Sequence, residues 1–94
     1  MTATPVRVMR NREGQLELVF IDFAPPSREW WFTSYARIGQ HNQISREYLR
    51  TLRPVPLKGE ALSLLRHWQA LPPACEVRAV RRLTPPRGFR YAGV

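Results

Sequence analysis

Prolines at positions 25–26, 54, 56, 72–73 and 85–86 cut this chain into short segments. Proline fixes φ and lacks an N–H, so each of these points ends a helix or leaves the interior of a sheet. The segments between the breaks must therefore supply the core as separate short elements. Before the first break, Val6 to Arg10 alternates, Asn11-Arg12-Glu13-Gly14 gives a turn signal, and Leu16 to Asp22 places apolar residues at 16, 18 and 20 and again at 19 and 21. This is the pattern of a β-hairpin. Its second strand is apolar on both faces from Leu18 to Ile21, which places it inside the sheet with Glu17 and Asp22 marking its ends.

After the Pro25-Pro26 loop, Trp30 to Arg37 is aromatic and strand-favouring, with Trp31, Thr33 and Tyr35 on one face and Trp30, Phe32 and Ser34 on the other. It is the expected third strand. Gly39 to Gln43 reads as a polar connection. Ser45 suits the N-cap of a helix running to about Arg53, with Glu47 favourable in its first turn. Pro54 and Pro56 end that helix. A second helix is expected from roughly Lys58 to Leu71, because Ala61, Leu64, Leu65, Trp68 and Leu71 form one stripe that must face the sheet. Beyond Pro72-Pro73, Cys75 to Leu83 alternates loosely as a last strand, and Thr84 to Val94 is an ordered-or-frayed basic tail. The expected fold is α+β in the order β-β-β-α-α-β. It is a mostly antiparallel sheet of three to four strands with two helices on one face, comprising residues 1–83 as a single domain and 84–94 as the tail.

Length sets the scale: 94 residues make one domain. An apolar content of 44% with three Trp, three Tyr and four Phe suffices for a core without disulfides or metal. Cys75 is alone, without a CxxC pair or zinc spacing, which points to a reducing cytoplasm. The longest wholly apolar run, Leu18 to Ile21, is too short to span a membrane. Arg7, Arg10, Arg12 and Glu13 leave no apolar core for a signal peptide.

The net charge is +8, and its distribution is uneven: residues 1–47 carry +1 and residues 48–94 carry +7. Such a field favours polyanions. At 100° per residue, Arg46, Arg50 and Arg53 fall within about 60° of arc on the first helix, with Tyr48 and Leu52 on the far side and Leu49 at the margin of the stripe. That stripe suits a phosphate backbone or an acidic protein surface; the plain alternative is a solvated helix face. The last strand and tail repeat the bias in Arg78, Arg81, Arg82, Arg87 and Arg90, and they interleave it with Phe89 and Tyr91. Single-strand binders combine the same elements, although the two rings can equally pin the terminus to the core. Trp30 and Trp31 cannot both point towards the helices, so one is either a partner-binding platform or is covered by the Pro-Pro loop or the tail.

Catalytic chemistry is not expected. His41 and His67 lie on different elements, nothing in the sequence pairs His41 with Cys75, and the seven acids are scattered. The chain carries no phosphate-binding or dinucleotide glycine loop, and no cofactor is implied. The expected function is a small cytoplasmic module that binds DNA or RNA through the first-helix arginines and the C-terminal Arg/aromatic segment. Two alternatives stand beside it: a protein-interaction module, such as an inhibitor or adaptor that meets an acidic partner with Trp30 or Trp31 as anchor, and a structural subunit of a larger assembly.

Ser34-Tyr35-Ala36-Arg37-Ile38-Gly39-Gln40-His41, followed by a short helix and Arg53-Pro54, resembles a group of small bacterial plasmid- and phage-borne proteins with an S-Y-x-x-x-G-Q-H signature. The likeness spans about residues 7–83 and implies a mobile-element setting without specifying an activity. From the residues themselves, Gly39 permits a positive φ at a strand end, and Gln40 and His41 can bond the exposed ladder or the helix start. The functional reading is that Tyr35, Gln40 and His41 form a polar recognition spot beside the arginine face.

Overall fold

The computed structural model describes residues 3–35, 41–70 and 76–93. The hairpin forms around Asn11, whose side-chain oxygen accepts the backbone N–H groups of Glu13 and Gln15, each at 2.9 Å. Gly14 supplies the positive φ of 83° that the turn requires. The turn sets the register of β1 (Thr4–Arg10) against β2 (Leu16–Ala24), with Val8 opposite Leu18. β2 pairs in turn with β3 (Glu29–Tyr35), again antiparallel, from Leu18 opposite Tyr35 to Ala24 opposite Glu29. Leu18 and Val19, adjacent and therefore on opposite faces, are 1% and 0% exposed, so β2 is the central strand.

Both outer edges of this meander are closed by pairs of short strands. On β1, β5 (Arg53–Pro54) pairs antiparallel at Met9 and Arg10, and β6 (Val77–Ala79) pairs parallel from Thr4 to Val6. On β3, β4 (His41–Ile44) pairs antiparallel from Phe32 to Tyr35, and β7 (Arg90–Tyr91) pairs parallel at Glu29 and Trp30. The sheet thus has seven strands among the described residues, where the sequence pattern predicts three to four. The added ones are too short to show alternation. Short, capped edges leave little unpaired backbone for another chain to pair with. The segment beyond Leu83 is ordered enough to carry β7, so the expected tail continues the sheet.

The α+β class with a mostly antiparallel sheet and two helices is as expected, but the helices do not share a face. α2 (Glu60–Gln69) buries Ala61, Leu64, Leu65 and Trp68 against Val6, Val8 and Leu18. Leu71, the last residue of the expected stripe, lies outside the described residues, as do Gln40 and Cys75. α1 (Arg46–Thr51) lies over the other face, where Leu49 and Leu52 join Met9, Val19, Ile44, Phe32 and Leu83. The reason is in the strands: Leu18 and Val19 both need cover, and one helix layer cannot supply it on both sides.

α1 is also shorter than expected. Ser45 caps it as predicted, its hydroxyl accepting the Tyr48 N–H at 3.1 Å. The helix stops at Thr51 because Pro54 disfavours helical backbone at Arg53. Leu52 is already extended, at φ −85° and ψ 146°, and turns into the core.

Candidate nucleic-acid interface

α1 has only six residues and no fully buried side chain, so apolar area alone does not hold it. A polar anchor does so instead. Glu17 is only 9% exposed and accepts from Ser34 Oγ at 2.7 Å, from Asn11 Nδ2 at 2.9 Å and from the Tyr48 hydroxyl. These donors come from β3, the hairpin turn and α1, so one carboxylate ties three elements together. Burial, reinforced by the hydrogen bond to Glu17 and its charge, pushes the Tyr48 hydroxyl up to about 12. It therefore remains a donor at neutral pH. In the sequence Glu17 is only an acid at a strand end; nothing local marks its partners, which lie up to 31 positions away.

The N-terminal end of α1 is fastened differently. The Arg46 guanidinium lies 3.9 Å from the centre of the Tyr91 ring and 5.8 Å from that of Trp30. Tyr91 leans on Trp30 at 4.9 Å, and Trp30 meets Phe32 edge-on at 5.2 Å. The C-terminal strand thus covers Trp30, which is 7% exposed. Trp30 is a core residue and not a free platform, which removes it as an exposed anchor.

The remaining expected site residues separate into groups. Arg46 and Arg50 stay on α1, both exposed. Arg53 is displaced: it sits in β5 opposite Arg10, at a register position of the α2-bearing face, so the three-arginine helix stripe is reduced to two. Between β6 on one edge and β7 on the other, the chain crosses the α1-bearing face, where Leu83 packs into the apolar cluster beneath α1. Exposed Arg81, Arg82 and Arg87 ride on this crossing, and Arg78, opposite Pro5, shares its side by register. Arg90 contacts Glu29 at 3.8 Å, the one ion pair found among the described residues.

Tyr35 belongs to the other face. It stacks on Phe20 at 5.2 Å and meets Trp68 at 4.6 Å. Strand alternation therefore turns Tyr35 away from α1 and the arginines beside which it is expected. His41 pairs with Tyr35 through the backbone in β4; its side chain and Gln40 lie outside the described residues. A cavity of about 100 Å³ opens on this side, lined by Thr4, Leu18, Phe20, Tyr35, Trp68, Glu76 and Val77. Its described lining includes an acid and no cation, which does not suit a polyanion.

No group of three or more potential metal ligands is found among the described residues. No helix among them is long and apolar enough to cross a membrane. Fold and charge together define a small basic α+β domain. One of its faces is sealed by an amphipathic helix, and the other carries arginines on a short helix and a crossing strap. Comparison with family models, curated proteins and solved structures gave no match.

Proposed function

We propose that this chain is a small nucleic-acid-binding module that meets the phosphate backbone with its α1-bearing face. The observation that carries the reading is the gathering of exposed Arg46, Arg50, Arg81, Arg82 and Arg87 on one side of the sheet without acidic partners among the described residues. Of the acids on that side, Glu17 is taken up by its three donors, and Glu47, exposed on α1 between Arg46 and Arg50, forms no ion pair with either. Guanidinium groups suit phosphate because their planar fork offers paired donors. The Arg46 guanidinium lies over the Tyr91 ring at 3.9 Å, a cation–π contact that orients it at little further entropic cost. The reading assigns the chain no catalysis and no cofactor. The single cysteine supports a cytoplasmic setting, and the S-Y-x-x-x-G-Q-H segment a mobile element.

The alternative of an acidic protein partner loses Trp30 as its anchor, since Trp30 lies under Tyr91, and keeps the half-buried Trp31, which alternates to the opposite face from the arginines. A titration of fluorescent DNA and RNA across a salt series tests the proposal. The wild-type chain should bind with an affinity that falls steeply as salt rises. Arg50/Arg81/Arg82→Ala should reduce the slope on duplex DNA by roughly 0.9 for each phosphate that is no longer neutralised. Absence of binding at low salt, or a slope unmoved by the triple variant, would overturn it.

A further inference from the structure

The tip of the β2–β3 hairpin carries a surface that the charge argument leaves unused. Phe23, near the end of β2, is 47% exposed and stands edge-on to Phe89 at 5.5 Å and 85°. The Arg28 guanidinium lies 5.2 Å from the centre of the Phe89 ring and reaches the Gly88 carbonyl at 3.4 Å. Arg28 adopts a left-handed φ of 55°, uncommon for a residue with a side chain, and its carbonyl accepts the Arg90 N–H at 3.0 Å. Gly88 opposite has φ 81°, and a side chain there would come within 2.7 Å of the Arg28 guanidinium. Two unusual backbone positions, 60 residues apart in sequence, thus combine to set an arginine over a ring beside an exposed phenylalanine.

This tip is continuous with the arginine face. Phe23 lies opposite Trp30 in the β2–β3 register, Trp30 carries Tyr91, and Tyr91 carries Arg46 at the start of α1. Rings and guanidinium groups therefore follow one another from Phe89 to α1. Local charge favours an anion: Arg28 stands over Phe89 and exposed Arg87 lies two residues before it in the chain, while Glu29 is paired with Arg90 and the Asp22 carboxylate accepts the Phe23 N–H at 3.0 Å.

We infer that the Phe23/Phe89 tip is a base-stacking platform and that the ligand of the module is single-stranded nucleic acid, with an unpaired base on Phe23 and its backbone running towards Arg46 and Arg50. This rests on the nucleic-acid reading and narrows it. A duplex keeps its bases stacked on one another and offers Phe23 nothing, whereas a single strand presents π-faces that an exposed ring can take up regardless of base identity.

The test compares binding of the full chain to a labelled oligothymidylate and to a duplex of equal length, with Phe23→Ala, Phe23→Leu and Phe23→Tyr variants whose folding is checked by circular dichroism. The wild-type chain should prefer the single strand. Phe23→Ala and Phe23→Leu should weaken oligothymidylate binding by roughly fivefold or more without changing its salt slope, and Phe23→Tyr should restore it. Duplex binding should be unmoved. Equal binding of both ligands, unaffected by Phe23→Ala, would overturn the platform and leave the phosphate-binding face standing. Failure to bind either would overturn both.

Discussion

The two faces of the sheet are held by different physics. On one, α2 buries four side chains against Val6, Val8 and Leu18, and a large apolar area supplies the stability. On the other, α1 is too short to bury much and depends on a carboxylate with three donors, a guanidinium on a ring, and Leu83 brought in by a crossing strap. The proposed binding residues belong to the second. A surface that must keep its charges hydrated cannot also be sealed by an apolar helix, so its support comes from directional contacts at its margins.

This contrast orders the expected effects of mutation. Leu64→Ala, at a 1% exposed position under α2, should cost about 2–5 kcal/mol in urea unfolding, the largest loss of the set. Glu17→Ala leaves three donors without their acceptor and should cost about 1–3 kcal/mol. It should also lower oligonucleotide affinity through α1, which Leu64→Ala should not do while the protein remains folded. Equal effects of the two on binding would erase the distinction between the faces. Ser45→Ala removes the N-cap and should cost about 1 kcal/mol, measured by thermal unfolding.

Alkaline pH sharpens the comparison further. The Tyr48 hydroxyl is raised in the folded chain to about 12 from 10.0, so its contribution is fully present below pH 10 and is lost as pH rises towards 12. The stability difference between the wild-type chain and Tyr48→Phe should shrink across that window; a constant difference would detach Tyr48 from Glu17. The smallest effect belongs to Tyr91→Phe. The Tyr91 hydroxyl is buried without a hydrogen-bond partner, so its removal should leave calorimetric stability unchanged or slightly higher.

The features legible in the sequence are those written in local pattern. The hairpin follows from alternation around Asn11 to Gly14, α2 from its stripe, and the α1 cap from Ser45. β4 is hidden because His41, Asn42 and Gln43 supply no apolar alternation on an edge strand. β5 and β7 have two residues each and exist only through the partners that receive them. The loss of Arg53 from the helix stripe is within reach of the sequence, since Pro54 restricts the residue before it. The site is less legible than the fold. Charge bias picks out arginines by type, yet Phe23 and Arg28 enter only when the distant Gly88 and Phe89 are placed against them.

The pairing of β7 with β3 also has a consequence in time. Contacts between Arg28 and Gly88 close a loop of 60 residues, and β6 must travel farther still to reach β1. A ribosome adds roughly 5–20 residues per second, so the nascent β3 waits several seconds for the strand that shelters Trp30. Until then the indole and the edge of β3 beside it stay uncovered.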